Sequence, residues 1–252
     1  STSENFKKNR ERFKKEVTPY ADYESWAAKR KPVFDALTQF ESTLPDEQMG
    51  YVGKEDWVFF RKDIDYITGG DLSKQPKEKN PIPHLVELKK FLAEKNINLL
   101  FMPIPNKSEV YYENLPIDAE WENFDGILNP YGRKFLRDCQ EAGIEVIDLL
   151  PLLLEAKKDD STHDEALYQR QDTHWTNRGL QIAATAVADR IKKYAWIGAL
   201  AEHETEYSTR DTTFQRQGDI VDKLPAEKQK SFPAVTLKAT QVLTPEGKLF
   251  NA

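Results

Sequence analysis

The sequence predicts an α/β protein in which helices cover both faces of a parallel β-sheet, with a helical extension at the N-terminus. Two observations predict this fold class. Amphipathic helical segments alternate with short apolar runs through the middle of the chain, as they do in successive βαβ units. The apolar run over residues 97–105 is continuous rather than alternating, which is typical of a strand buried on both faces.

The N-terminal part of the chain differs from the rest. Residues 1–50 have helical periodicity interrupted by Pro19 and Pro32, which predicts two or three broken helices packed as an extension. After Gly53 the run DWVFF is rich in aromatic and β-branched residues and predicts a short strand. We therefore divide the chain into an extension over residues 1–50 and a main domain over residues 51–252.

The main domain continues with alternating helices and strands. In chain order these are a helix over residues 84–96, a strand over 97–105, a helix over 129–143, a strand over 144–153 and a helix over 176–194. The strand over 144–153 is expected to turn at Pro151. Asn129 is expected to cap the second of these helices and Gly143 to end it. After Tyr194 the sequence predicts irregular structure with one strand over residues 234–244.

Composition and charge restrict the classes of function. The net charge of −6 argues against a nucleic-acid-binding surface, because a phosphate backbone favours concentrated Lys and Arg. No apolar run in the sequence reaches the length that crosses a bilayer. Cys139 is the single cysteine, so the chain can form no internal disulfide, and its helical context predicts a buried, inert thiol.

The segment QDTHWT places Asp172 two residues before His174, just ahead of the last predicted helix. In an extended loop such residues point the same way, so the carboxylate can fix the imidazole as a general base for a serine hydroxyl. Thr176 can then cap the helix that follows. The alternative is that Asp172 helps to cap the helix start and that His174 is a satisfied loop histidine. A zinc site is not expected because the other histidines lack ligand spacing, and no phosphate-binding loop or other cofactor motif is present.

The predicted topology places this loop at the carboxyl edge of the sheet. We expect the imidazole to be partly exposed in a cleft, near the strand end at residues 105–107. Lys107 then has three possible roles: a solvated lysine, a cation that binds an anionic sugar, or a residue that orders the loop. Asn106 and Trp175 are further candidates for substrate binding, although Trp175 can equally pack beneath the site.

Five segments in a fixed order carry a resemblance to a known family. They are GKEDWVFF, MPIPNKSEVYYENLP, EVIDLLPLL, YQRQDTHWTNRG and GDIVDKL, between Gly53 and about Asp222. In this pattern the chain resembles the SGNH hydrolase-like polysaccharide O-acetyltransferases of the alginate acetylation (AlgX/AlgJ) type. The resemblance implies an SGNH hydrolase-like fold, with Asp172 and His174 in the place of the family's catalytic Asp and His.

The resemblance also implies a serine in a later GDS motif, which this sequence does not contain. We therefore expect the serine to lie beyond residue 252, in a domain that is truncated here. The implied activity is transfer or hydrolysis of acetyl groups on an extracytoplasmic polysaccharide such as alginate, in the periplasm or at the cell surface. A membrane-bound acetyltransferase partner would deliver the acetyl groups, and a lost N-terminal segment would anchor the protein. The alternative is a non-catalytic polysaccharide-binding or scaffolding protein of such a modification complex.

Overall fold

A computed structural model describes residues 23–122, 124–194, 196–200 and 205–250. Its helices are α1 (Tyr23–Ser42), α2 (Lys62–Thr68), α3 (Pro81–Ala93), α4 (Lys107–Val110), α5 (Pro130–Glu141), α6 (Leu150–Lys157), α7 (Asn177–Ile191), α8 (Ile197–Leu200) and α9 (Ala226–Gln229). Its strands are β1 (Gly50–Val52), β2 (Val58–Phe60), β3 (Leu100–Phe101), β4 (Glu145–Val146), β5 (Ser208–Arg216) and β6 (Val235–Leu243). Among these residues, no helix combines the length and the apolar character that crossing a membrane requires.

The described strands form three separate two-stranded sheets. β1 pairs with β2 and β5 with β6 in antiparallel register, and β3 pairs with β4 in parallel, with Leu100 opposite Glu145. The parallel pairing between the two predicted strands is therefore present, but only over two residues. Pro103 and Pro105 have no N–H to donate, which explains why the long apolar run does not continue as a strand.

The helices of the main domain largely follow the sequence signals. The side chain of Asn129 accepts a hydrogen bond from the Gly132 N–H at 3.0 Å, and Gly143 follows the helix with a φ of 83°. The strand predicted over residues 144–153, with its turn at Pro151, is limited to Glu145–Val146, and its second half is a helix. There α6 begins at Leu150, whose N–H donates to the Asp148 carboxylate, and Pro151 lies in its first turn, where a missing N–H costs nothing.

The N-terminal helix is part of the main core rather than a separate layer. α1 continues through Pro32 without a break, so the predicted interruption at this proline is wrong. Its buried side chains, Tyr23, Trp26 and Leu37, belong to the largest hydrophobic cluster of the described residues. The remainder of the helical prediction, over residues 1–22, lies outside the described residues.

A second cluster of apolar side chains anchors the segment that follows β5. Val58 of β2 packs there with residues that are all buried, namely Ile220, Val221, Leu224 and Phe232. The N–H of Val58 also donates to the Arg170 carbonyl at 2.9 Å. This cluster therefore fixes residues 218–224 beside the loop that contains Asp172 and His174.

The region after Tyr194 contains more regular structure than the sequence predicts. β6 was expected, but β5 was not, and the two pair in antiparallel register over nine residues. β5 reads STRDTTFQR and is exposed at nearly every position. It therefore lacks the apolar alternation by which a half-buried strand is recognised.

Candidate active site

The loop that contains Asp172 and His174 lies between a short β-bridge and the start of α7. The bridge joins Tyr168 to Trp175. Thr176 is the N-cap of α7, and its hydroxyl accepts from the Gly179 N–H at 3.4 Å and donates to the Ala166 carbonyl at 2.5 Å. The loop is thus held tightly at both ends, and the cap comes from Thr176 rather than from Asp172.

Asp172 and His174 are in direct contact. One carboxylate oxygen of Asp172, Oδ1, lies 2.6 Å from Nδ1 of the imidazole and accepts from the His174 backbone N–H at 3.0 Å. The short contact assigns the proton to Nδ1, which makes Nε2 the basic nitrogen. The Asp172 side chain is 0% exposed whereas that of His174 is 59% exposed. Within the described chain Nε2 has no hydrogen-bond partner, so its lone pair is available to a reactant.

The second oxygen of the Asp172 carboxylate, Oδ2, is also occupied. It accepts from the Asp219 N–H at 3.0 Å and lies 3.2 Å from Nη2 of Arg216. Burial acts to raise the pKa of Asp172, but the hydrogen bonds from His174 and Asp219 and the charge of Arg216 outweigh it and lower this pKa below its usual value. The carboxylate is therefore ionised at neutral pH and can stabilise an imidazolium beside it.

Lys107 supports the loop from beneath. Only 2% of the residue is exposed, and its Nζ donates to the carbonyls of Asp172, Gln169 and Arg170 at 2.7, 3.0 and 3.1 Å. Burial lowers the pKa of Lys107 to about 7, with nearby carboxylates, Asp63 foremost, acting against that effect. Of the three roles that the sequence left open, this placement corresponds to the ordering of the loop. All three donors are used, so the ammonium has none left for a sugar.

The strand end beside the loop has a second buried charge. Asn106 is the N-cap residue of α4, and its backbone N–H donates to the Glu109 carboxylate at 3.0 Å. Burial raises the pKa of Glu109 to about 7 and that of Asp63 to about 6. Ser108 is fully buried and donates to Asp63 at 2.5 Å, so its hydroxyl is not exposed to a substrate.

Trp175 is half-buried and packs against the main core. Its carbonyl accepts from Nε2 of Gln169 at 3.1 Å. Of the two positions that the sequence left open for this indole, the structure shows packing against the core below the loop.

Two residues of the site were not predicted from the sequence. Arg216 ends β5, and Asp219 follows three residues later. Asp219 stands within the segment GDIVDKL, but nothing in that segment indicates that it meets a loop more than forty residues earlier. Only the fold brings the two together.

The carboxylates of Asp172 and Asp219 and the imidazole of His174 have ligand atoms within 4.8 Å of one another, which is close enough for a metal ion. Their oxygens already have donors. Asp172 accepts from His174, Asp219 and Arg216, while Asp219 accepts from both the N–H and the hydroxyl of Thr173. The cluster is therefore best described as a hydrogen-bonded network around the imidazole.

The site is an open surface loop rather than a deep cavity. A groove of about 860 Å³ lies elsewhere, between α5, α6 and α7, and neither Asp172 nor His174 contributes to its lining. An ionised carboxylate on Nδ1 and a free, exposed Nε2 can together remove a proton from a hydroxyl group that approaches from solvent.

Comparison with known proteins shows where this arrangement belongs. The family model described as "SGNH hydrolase-like domain, acetyltransferase AlgX" matches residues 51–252. A protein named probable alginate O-acetylase AlgJ from Azotobacter vinelandii is 27% identical over 177 residues, which is 70% of this chain and 42% of that protein. The Pseudomonas aeruginosa protein of the same name is 25% identical and covers 70% of this chain and 41% of its own length. The chain thus spans about two fifths of the length of these relatives.

Two solved structures share the fold. The O-acetyltransferase domain of Pseudomonas putida AlgJ superposes with a TM-score of 0.51 at 19% identity, over 77% of this chain and 64% of that one. Pseudomonas aeruginosa AlgX superposes with a TM-score of 0.53 at 22% identity, over 81% of this chain and 44% of that one. On the match to residues 51–252, the chain belongs to the family of SGNH hydrolase-like domains of the AlgX acetyltransferase type.

Proposed function

We propose that this protein transfers or removes acetyl groups on a polysaccharide through an Asp–His–Ser triad in which Asp172 and His174 are the first two members. The observation that carries the proposal is the 2.6 Å contact between Asp172 Oδ1 and Nδ1 of an imidazole whose Nε2 is exposed and unpartnered in the described chain. This is the geometry that a general base for a hydroxyl nucleophile requires.

In the proposed reaction Nε2 of His174 takes the proton of the serine hydroxyl as its oxygen bonds to the acetyl carbonyl carbon. The tetrahedral intermediate then expels the alcohol of the donor ester, which receives the proton from the imidazolium. A sugar hydroxyl or a water molecule attacks the acyl-serine in the same way, and the serine leaves with the proton. Asp172 stays ionised throughout, since its pKa is held below the usual value, and stabilises each imidazolium.

The serine itself is proposed to lie beyond residue 252, in a GDS motif. Residues 51–252 would then be the part of the SGNH hydrolase-like domain that precedes the nucleophile, and residues 1–50 a helical extension. Ser108, the serine nearest in sequence to the strand end at the site, is committed to Asp63 and buried, which supports a nucleophile from elsewhere.

The proposed substrate is an extracytoplasmic polysaccharide such as alginate, because the relatives are named as alginate O-acetylases. The open position of His174 suits a polymer, which cannot enter a closed pocket. We further propose a location in the periplasm or at the cell surface, a membrane anchor N-terminal to the present chain, and a membrane-bound acetyltransferase partner that supplies the acetyl groups.

A second candidate is a non-catalytic polysaccharide-binding or scaffolding protein. The sequence fact that favours it is that the chain contains no GDS segment. Such a protein would retain the Asp172–His174 pair only as a structural element of the loop.

The test uses the product of the whole gene, including any sequence that follows residue 252, with p-nitrophenyl acetate as acetyl donor. His174→Ala and Asp172→Asn are each expected to lower kcat/KM by at least about a hundredfold, because the base or its orientation is lost. Asp222→Asn is the matched control, since its side chain is exposed on a neighbouring segment. Activity that survives both site substitutions refutes the proposed roles of Asp172 and His174. Activity that is absent from the unsubstituted protein refutes the enzyme and favours the scaffold.

A further inference from the structure

We propose that Asp219 is a positioning residue of this site, which holds the imidazole of His174 on Asp172 and strengthens the negative field around it. The inference rests on the proposed function, because it concerns the same general base. Asp219 makes no hydrogen bond to Nε2, the nitrogen that takes the proton; it acts through the loop and from the Nδ1 side of the ring.

Asp219 holds the loop by three hydrogen bonds. Its carboxylate accepts from the Thr173 backbone N–H at 2.7 Å and from the Thr173 hydroxyl at 2.6 Å. Its own backbone N–H donates to Oδ2 of Asp172 at 3.0 Å. Thr173 is the residue between the two members of the pair, so these bonds fix the backbone that sets the direction of both side chains.

The segment that supplies Asp219 is itself rigid. A Cβ on Gly218 would lie only 1.9 Å from the Gln171 carbonyl oxygen, so only glycine permits this close approach to the loop. The two residues that follow Asp219, Ile220 and Val221, are buried in the cluster with Val58. The carboxylate is therefore presented to Thr173 from a fixed frame rather than from a mobile surface chain.

The charge of Asp219 also acts on the imidazole. Its Oδ2 lies 3.5 Å from Nδ1 of His174, and its side chain is 31% exposed. The carboxylates of Asp172 and Asp219 contact Nδ1 of the ring. The nearby cations are Arg216, which pairs with Asp172, and the buried Lys107, which donates to the Asp172 carbonyl. Asp219 thus offsets cations that would otherwise oppose the imidazolium formed in each proton transfer.

The first test uses the pH dependence of acetyl-ester cleavage by the product of the whole gene. Asp219→Asn keeps an oxygen acceptor for Thr173 but removes the charge. We expect its kcat to fall about tenfold with little change in KM, because the loss is in the transition state. The acid side of the pH profile of activity should move to lower pH, because the substitution removes a negative charge that lies 3.5 Å from Nδ1 of the base.

The second test needs no activity. In ¹⁵N NMR spectra of the product of the whole gene, the signals of the His174 ring are identified by their absence from the spectrum of His174→Gln. We expect the unsubstituted protein to show the Nδ1–H tautomer and Asp219→Ala to show a mixture of tautomers. Asp219→Glu, which can still reach Thr173, should restore the single tautomer in part, and the exposed Asp222→Asn should leave it unchanged.

The outcomes separate the two proposals. In one outcome His174→Ala abolishes activity, but Asp219→Asn leaves the pH profile unchanged and Asp219→Ala leaves the tautomer unchanged. The role of Asp219 is then refuted while the proposed function stands. If the tautomer responds to Asp219 as expected but no variant affects acetyl-ester cleavage, the proposed function fails and Asp219 keeps only its place in the loop.

Discussion

Replacement of Lys107 by Met tests whether one buried ammonium holds the loop that contains Asp172 and His174 in place. The substitution keeps the length of the side chain and removes three hydrogen bonds, to the carbonyls of Asp172, Gln169 and Arg170. Charge-assisted bonds of this kind contribute about 1.5–3 kcal/mol each. The substitution also removes the desolvation cost of the buried charge, which is several kcal/mol and offsets part of this loss. The free energy of unfolding should therefore fall by about 3–5 kcal/mol.

The measurement is urea unfolding of the product of the whole gene at about pH 6. This is below the value of about 7 to which burial lowers the pKa of Lys107, so the ammonium is charged in the folded state. Lys62→Met is the matched control, because Lys62 is well exposed and pairs only with Asp65. It should change stability by no more than about 0.5 kcal/mol. A loss below about 1 kcal/mol in Lys107→Met, or unchanged hydrogen exchange at the Asp172 and His174 amides, would show that the loop does not depend on Lys107.

Two further substitutions test neighbouring features. Gly218→Ala must displace the Gln171 carbonyl, because its Cβ would lie 1.9 Å from that oxygen. We expect the free energy of unfolding, measured by thermal unfolding, to fall by about 1–3 kcal/mol and acetyl-ester cleavage to be lost. Unchanged stability and activity would contradict the close approach. Burial raises the pKa of Glu109 to about 7, so its contribution to stability is present in acid and disappears as the pH rises through that value. Between about pH 5 and about pH 8 the free energy of unfolding should therefore fall less in Glu109→Gln than in the unsubstituted protein, by up to about 3 kcal/mol. If the free energy of unfolding depends on pH in the same way in both proteins, the raised pKa is contradicted.

The sequence was sufficient for features that depend on local signals. Asn129 and Thr176 cap helices because their side chains bond to backbone N–H groups three residues ahead, which a sequence pattern records directly. The contact between Asp172 and His174 is local in the same sense, since it joins residues two apart in an extended loop. Whether this pair is catalytic remains a prediction, because contact geometry alone does not establish turnover.

Other features depend on contacts between distant parts of the chain. The ammonium of Lys107 reaches the loop across more than sixty residues, and nothing in its local sequence distinguishes it from a solvated lysine. β5 has no buried face, so no apolar periodicity marks it. The strand β3 is much shorter than its apolar run because Pro103 and Pro105 remove the donors that a longer ladder needs.

The manner in which the loop is held bears on how the proposed enzyme would work. Three segments that are remote in sequence fix it: Lys107 beneath, Val58 through its bond to the Arg170 carbonyl, and Asp219 at Thr173. None of these contacts involves the exposed Nε2 of His174. These contacts therefore offset the entropy cost of ordering the His174 imidazole within residues 51–252, before a nucleophile or a substrate is bound. A serine brought to this surface would meet an imidazole already oriented by Asp172, so its own strand would need to supply only the hydroxyl and the donors for the oxyanion.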